Sequence, residues 1–433
     1  MRYEEMNGEQ LCAEEQDCLK RLEEYADPKR KLDLSRGKPS AEQLALSMGM
    51  MDTLTSQSIL DSESRIDCRN YGCLEGIPEA RRLLAGMLGT HPDCVLVGGN
   101  SSLTLMYALL SHGMTDGICG NTPWQKVEKR KFLCPVPGYD RHFAMTEHFG
   151  FELVSVPLLS DGPDMALVEE LVRDETVKGI WCVPKYQNPT GIVFSDDTVR
   201  RFARLKPAAK DFRIFWDNAY CMHGFDGDTD PIPDLLTECE KAGNPDLVYE
   251  FCSTSKITFP GSGIAGVAAS AANRGDILNF MKYATIGTDK LNQLRHARYF
   301  KNMIGLRNQM KQHGARLRPK FEAAYRVLDE ELSPYDIARW TTPNGGYFFS
   351  LDTRGGCAKA VTAMCAEYGV KFTPAGATYP YGYDPHDSNL RLAPSFASEK
   401  EIEAAIRILA LCIRIVTARK IRQERMKGNG VCA

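Results

Sequence analysis

Lys256 closes the run Val248-Tyr249-Glu250-Phe251-Cys252-Ser253-Thr254-Ser255-Lys256, an apolar stretch ending in small hydroxyl residues and one amine. Lysine is rarely placed at the end of a buried run without a partner. Desolvation or a neighbouring cation lowers its basicity, which suits Schiff-base chemistry with an aldehyde. Two other apolar runs end in complementary groups. Asp217 follows Phe212-Arg213-Ile214-Phe215-Trp216 and leads into Asn218-Ala219-Tyr220, and upstream lies the turn-forming Asn188-Pro189-Thr190-Gly191. A carboxylate at a strand end can pair with a protonated ring nitrogen, while an amide and a phenol can hydrogen-bond a ring oxygen.

Two further segments suit anions. Gly98-Gly99-Asn100-Ser101-Ser102 stands between the strand-like Val95–Val97 and the helical Leu103-Thr104-Leu105-Met106. Free N–H groups at a helix start, together with two hydroxyls, form an anion site. The Gly-Lys-Ser/Thr ending of a P-loop is absent. Arg391 sits inside Asn389-Leu390-Arg391-Leu392-Ala393-Pro394, where a guanidinium needs an anionic partner, and a carboxylate matches its fork.

Each residue taken singly has a plainer explanation. Asp217 could be a turn or N-cap aspartate, Tyr220 a core tyrosine, and Lys256 a surface lysine. Ser101-Ser102 could be a structural cap, and Arg391 one half of an internal salt bridge. Order and spacing carry more weight. Asn188 to Asp217 is 29 residues, Asp217 to Lys256 is 39 and Lys256 to Arg391 is 135.

The elements that must position these groups can be read from periodicity. From about residue 75 to 272, helical patterns alternate with short apolar strands at Val95–Val97, Lys131–Cys134, Leu153–Val156, Gly179–Val183, Arg213–Trp216, Val248–Phe251 and Ile264–Ala269. Alternation of this kind predicts an α/β fold with a mostly parallel sheet covered on both faces. In such sheets, ligands gather at the carboxyl ends of the strands. A helix is expected over residues 9–26, stopped by Asp27-Pro28. Long helical patterns run from about 274 to 330, and a last helix from Glu401 to about Lys427. Its basic end (Arg419, Lys420, Arg422, Arg425, Lys427) reads as a solvated terminus complementing the helix dipole. Further strands are expected at Gly346–Leu351 and Leu390–Ala393.

The 433 residues are too many for one small core and predict more than one domain. A net charge of -3 favours neither nucleic acid nor a membrane surface. No apolar stretch is long enough to span a bilayer, and the acidic N-terminus carries no signal-peptide core. The 15 cysteines are scattered without a C-x-x-C pair, so neither a disulfide framework nor a metal site is expected. Cys134, Cys182 and Cys252 read as small core fillers. The expected compartment is the cytoplasm.

The order of these motifs resembles the class I/II aminotransferases, the fold type I pyridoxal-phosphate enzymes, from Gly37 to Arg391 and the last helix. The narrower likeness is to the divergent bacterial aspartate aminotransferase branch related to MocR-type aminotransferase domains. It is carried by Leu32-Asp33-Leu34-Ser35-Arg36-Gly37-Lys38-Pro39-Ser40, Asn70-Tyr71-Gly72, Gly76-Ile77-Pro78-Glu79-Ala80-Arg81, Cys134-Pro135-Val136-Pro137-Gly138-Tyr139-Asp140-Arg141-His142 and Thr285-Ile286-Gly287-Thr288-Asp289-Lys290-Leu291-Asn292-Gln293.

That resemblance implies a large domain with a seven-stranded, mostly parallel sheet and a smaller α+β domain. The implied division is residues 1–55 (N-terminal helix and a segment of the small domain), 56–318 (large cofactor-binding domain) and 319–433 (C-terminal small domain). Lys256 would hold pyridoxal 5'-phosphate and shuttle the α-proton, and Asp217 would pair with the pyridine nitrogen. Asn188 and Tyr220 would bond the ring oxygen, and Tyr139 would stack on the ring. Ser101, Ser102 and Ser253 would hold the phosphate, with Tyr71 entering from a second subunit of a homodimer. Arg391, helped by Gly37 and Asn188, would bind the substrate carboxylate.

One position departs from the pattern. The family's usual phosphate arginine, eight residues after the lysine, is replaced by Ile264. Ser262 and the surrounding glycines, or a cation such as Lys290 or Arg298, are candidate substitutes. Arg36, Lys38, Arg141, Lys290 and Arg295 are candidates for a distal carboxylate. The implied reaction is amino transfer from L-aspartate to 2-oxoglutarate by a ping-pong route. The alternatives are another donor (alanine or an aromatic amino acid), a lyase or decarboxylase on the same fold, or a MocR-like sensing domain. The last would need an N-terminal DNA-binding domain, for which the roughly 30 residues before Leu32, an acidic stretch, are too few.

Overall fold

The computed structural model describes residues 2–27, 29–227 and 230–429. Its central sheet contains eight strands: β1 (Val95–Gly98), β2 (Lys131–Val136), β3 (Glu152–Leu159), β4 (Gly162–Pro163), β5 (Val177–Cys182), β6 (Arg213–Asp217), β7 (Val248–Ser253) and β8 (Ala265–Ala268). The spatial order is β1-β8-β7-β6-β5-β2-β3-β4. Strands β7, β6, β5, β2 and β3 pair in parallel, and β8 runs antiparallel to both of its neighbours. The seven expected strands are all present. The eighth, β4, is a two-residue hairpin return against β3, too short to leave a periodic signature.

Successive residues on the inner strands enter opposite layers, as the period of two requires. Leu133, Ile180, Ile214, Trp216 and Val248 belong to one apolar cluster. Phe132, Cys134, Trp181, Phe215, Tyr249 and Phe251 belong to the other. Cys134 in the second cluster, and Cys182 and Cys252 in the first, are buried filler. With both faces apolar, the strands must be covered on both sides, and the sheet is a sandwich centre.

A third cluster gathers the two ends of the chain. The helix Gly8–Glu23 lies along the long helix Glu399–Asn429, and a three-stranded antiparallel sheet has Phe349–Thr353 between Ala338–Trp340 and Asn389–Leu392. Pro28, expected to stop the first helix, lies outside the described residues. The basic end of the last helix is not simply solvated. Arg419 and Arg422 pair with Glu15, and Arg425 donates to the carbonyls of Met6 and Glu4. Leu32–Asp33 pairs in parallel with Val370–Lys371, which draws the segment carrying Arg36, Gly37 and Lys38 beside Arg391. The expected helical stretch 274–330 is three helices: Ala271–Ala284, Lys290–Phe300 and Met303–Leu332. No helix among the described residues is long and apolar enough to cross a membrane.

Candidate active site

The carboxyl ends of β6 and β7 open into a cavity of about 390 Å³. It is lined by Gly37, Ser101, Ser102, Tyr139, Asn188, Asp217, Tyr220, Ser253, Lys256 and Arg391, with Arg36, Lys38, Asp140 and Arg141 also on its wall. Ten of the eleven residues singled out from the sequence therefore share one space, though they span 355 positions from Gly37 to Arg391 (391 minus 37, plus one). Tyr71 is the exception: its side chain is 82% exposed and outside this cavity.

The floor is built from strand ends. Asp217 is the last residue of β6 and is buried. Its Oδ2 accepts a hydrogen bond from Nε2 of buried His142 at 3.0 Å, and the His142 ring stacks on Trp181 with centroids 4.2 Å apart. Asp217 Oδ1 is buried and has no hydrogen-bond partner among the described residues. An orphaned buried carboxylate oxygen is costly, and such an atom calls for a ligand donor. Its place on the cavity wall fits the protonated nitrogen of a pyridine ring. The sequence does not single out His142 as a site residue: it stands beside Tyr139 and Asp140, but nothing in its spacing from Asp217 shows that the start of helix Asp140–His148 reaches β6.

Lys256 Nζ lies 4.7 Å from the centroid of the Tyr220 ring. Burial raises the Tyr220 phenol well above its usual range, and raises that of Tyr139 to about 12 despite the opposing charge of Lys256. Both phenols thus stay neutral donors. The backbone after Lys256 is anchored from below. Tyr347 donates to the Lys256 carbonyl at 3.3 Å, and His313 Nε2 meets the Ile257 carbonyl at 3.0 Å. His296 Nε2 lies 3.0 Å from the hydroxyls of both Thr254 and Thr258. These supports come from two helices and from the bend before the strand Phe349–Thr353, all remote in sequence, so no local signal announced them.

At the other end, Ser101 precedes the helix Ser102–Thr115 but makes no side-chain cap bond, so its hydroxyl is not spent on capping. Ser101, Ser102, Leu103, Ser253 and Ser255 line this end, and Ser255 donates to the Asn100 carbonyl at 2.9 Å. Hydroxyls at a free helix start fit a phosphate. Ile264 is buried in the apolar core. The cations considered in its place are elsewhere. Lys290 is buried and holds the carbonyls of Asn70 and Gly72, Arg298 donates to the Asp61 carbonyl, and Arg295 bonds Ser262 and Asn292. None of these three lines the cavity of this subunit.

Arg391 is central in its strand pairing, opposite Ser350, and is buried. Its Nη1 bonds Asp140 Oδ1 at 2.6 Å and Asn188 Oδ1 at 3.4 Å, and its Nε donates to Thr373 Oγ1 at 3.2 Å. The internal salt bridge left open by the sequence is thus present, and the same guanidinium faces the cavity. Gly37 meets it from the opposite segment. A Cβ there would stand 2.4 Å from the Phe348 ring, so only glycine lets the backbone come this close.

Comparison with known proteins agrees with this geometry. A family profile for aspartate amino-transferase matches residues 8–425. An aspartate aminotransferase of Corynebacterium glutamicum is 42% identical over 419 residues, covering 96% of each chain. The crystal structure of an aspartate transaminase from that organism superposes with a TM-score of 0.93 at 42% identity, covering 97% of this chain and 99% of that one. The α-aminoadipate aminotransferase LysN of Thermus thermophilus, solved as a complex with N-(5'-phosphopyridoxyl)-L-leucine, shares the fold at 21% identity and a TM-score of 0.72, covering 93% and 95%. With the profile running almost from end to end, the chain belongs to the aspartate amino-transferase family and is an aminotransferase of fold type I.

Proposed function

We propose that this chain moves the amino group of L-aspartate to 2-oxoglutarate with pyridoxal 5'-phosphate as its cofactor. The observation that carries the reading is the pairing, in one cavity, of the Lys256 amine with an orphaned oxygen on buried Asp217. Fold type I aminotransferases depend on this cofactor, which supplies an electron sink for negative charge at the substrate α-carbon.

In this reading, Lys256 carries the cofactor and, once freed by the amino donor, takes and returns the α-proton as general base. Asp217 holds the ring-nitrogen proton, and His142 holds Asp217. Tyr220 and Asn188 bond the ring oxygen, and Tyr139 covers the ring. Ser101, Ser102, Ser253 and the helix start hold the phosphate without an arginine. Arg391, with Asn188 and the Gly37 backbone, takes the α-carboxylate. Arg36, Lys38 and Arg141 supply positive charge at the mouth for a second carboxylate, which favours a dicarboxylic substrate over alanine or an aromatic amino acid. One cavity admits one substrate at a time, so donor and acceptor alternate and kinetics are ping-pong.

Tyr71 serves the phosphate of a second copy, making a homodimer. Its exposure, and that of Ile59, Tyr283 and Ile286, supports such an interface. The proposed division at residues 55 and 318 is supported by the gathering of both chain ends in one apolar cluster, into which Val183, Tyr186, Tyr220 and Phe225 of the large domain also pack. The cytoplasm remains the proposed compartment.

The test is the visible spectrum of the purified protein. The reading expects a yellow band that bleaches with L-aspartate alone and returns with 2-oxoglutarate. A band indifferent to aspartate but bleached by alanine or phenylalanine would replace the donor. No band after adding pyridoxal 5'-phosphate would end the reading of Lys256.

A further inference from the structure

We propose that Asp140 is an internal counter-carboxylate that occupies Arg391 until the substrate carboxylate displaces it, and so sets substrate affinity without touching the reacting atoms. The proposal rests on the reading of Arg391 as the α-carboxylate ligand.

The two partners differ in freedom. Arg391 is fixed: its side chain is 7% exposed, its Nε is held by Thr373, and its guanidinium carbon stands 5.2 Å from the centroid of the Phe348 ring. Asp140 is the first residue of its helix, and its side chain is 35% exposed, so it can turn towards water. The pairing is also selective. Asp140 stands beside Arg141 in the chain and shares the cavity wall with Arg36 and Lys38, yet its ion pair is with Arg391. Those three mouth cations have no carboxylate partner among the described residues.

The hydrogen-bond inventory of the guanidinium then dictates a competition. Nη1 is taken by Asp140 and Asn188 and Nε by Thr373, while Nη2 has no bonded partner among the described residues. A carboxylate gripping two nitrogens through parallel bonds takes Nη2 with either Nη1 or Nε, and the single Nε hydrogen is already given to Thr373, so Nη1 is the one it must share. Two carboxylates on the same nitrogen repel, so Asp140 must yield. In the empty enzyme it performs the opposite service, because a buried guanidinium without a counter-charge is destabilising. Asp140 therefore keeps Arg391 neutralised between turnovers, at the expense of substrate affinity.

The experiment compares Asp140→Asn, Asp140→Glu and Arg391→Ala, alone and with Asp140→Asn added to Arg391→Ala, in the cofactor-loaded protein. Two quantities are measured: KM for L-aspartate, and the Kd of maleate, an unreactive dicarboxylate, by calorimetry. Asp140→Asn is expected to tighten both by about tenfold, the worth of one charge-assisted bond that no longer has to be broken. The change should fall on KM rather than kcat. Asp140→Glu, which keeps the charge, should show no such gain. Arg391→Ala should weaken both strongly and erase the gain from Asp140→Asn.

A merely structural aspartate predicts the reverse sign, weaker binding in Asp140→Asn, and that result overturns the proposal. Persistence of the gain without Arg391 overturns it too, because Asp140 would then act only through the general potential of the cavity. If Arg391→Ala leaves binding intact, the carboxylate reading of Arg391 fails and takes the proposal with it. Loss of binding in Arg391→Ala with no gain in Asp140→Asn fails the proposal alone.

Discussion

The floor and the mouth of the cavity are built on different principles. Asp217, Tyr220 and His142 are buried, and Lys256 lies in the turn three residues after β7 with its backbone bonded from below. Arg36, Lys38 and Arg141 are exposed, on an extended segment and the first turn of a helix, and none has a carboxylate partner among the described residues. Groups that must meet a reacting atom are held where the sheet fixes the backbone. Groups that select a substrate stand where side chains can still move. Rigidity at one end lowers the reorganisation needed in the reaction, and freedom at the other admits the ligand.

If this contrast is right, substitutions on the floor should damage kcat and those at the mouth KM. Lys256→Ala is the largest. Loss of the general base should lower kcat on the order of 10⁴-fold, and the protein should lose its yellow band. Asp217→Ala follows, with a fall on the order of 10³-fold for a preorganised charge removed from a buried site. Steady-state turnover of L-aspartate with 2-oxoglutarate measures both. His142→Asn should cost less, about tenfold in kcat, because it deletes one hydrogen bond to Asp217 and leaves the carboxylate in place. A His142→Asn enzyme as impaired as Asp217→Ala would mean that the histidine itself contacts a reacting group.

At the mouth, Arg36→Gln and Arg141→Gln should each raise KM for L-aspartate and 2-oxoglutarate by up to about tenfold while leaving that for L-alanine unchanged. Steady-state kinetics with the three substrates decide it. An equal loss with alanine would remove these arginines from distal-carboxylate recognition and return the choice of substrate to the floor.

The same contrast explains what was legible in the sequence. Lys256, Asp217 and Asn188 announce themselves because each follows an apolar strand, and strand ends on one sheet edge converge whatever intervenes. Seven strands and the last helix were readable by period alone. The bounds of the three helices within 274–330 were not, because their starts at Asp289 and Asn302 are set by side-chain caps rather than by period. The pairing of Leu32–Asp33 with Val370–Lys371 joins residues 338 positions apart (370 minus 32) through two backbone pairs, which no local pattern encodes. At the phosphate end the sequence leaves the choice of cation open for a related reason. Lys290 and Arg298 are near in sequence to the family motif, but their long side chains are spent on carbonyls of the segment 61–72.

Acid offers the mildest way to separate floor from mouth, and its sign can be worked out. Three buried histidines brace the floor. His223 packs edge-on against Tyr220 and Tyr347, His296 meets Thr254 and Thr258, and His313 meets the Ile257 carbonyl. Burial depresses their pKa values from 6.5, to about 3 for His223, where the charge of Lys256 adds to the effect, and to about 4 for His296 and His313. Between roughly pH 6.5 and pH 4 the unfolded chain therefore binds protons that the folded chain refuses, so stability falls as pH falls. The contribution is fully present above the unfolded value and is lost as pH drops towards the folded ones. From pH 7 to pH 5 each histidine should remove roughly 2 kcal/mol, which urea unfolding midpoints will register as a steady decline. His296→Asn should unfold more easily at pH 7 and decline less steeply between pH 7 and pH 5, since one of the three groups no longer titrates. A slope unchanged by that substitution would mean that His296 accepts its proton inside the folded protein, and that this brace of the floor is looser than its hydrogen bonds imply.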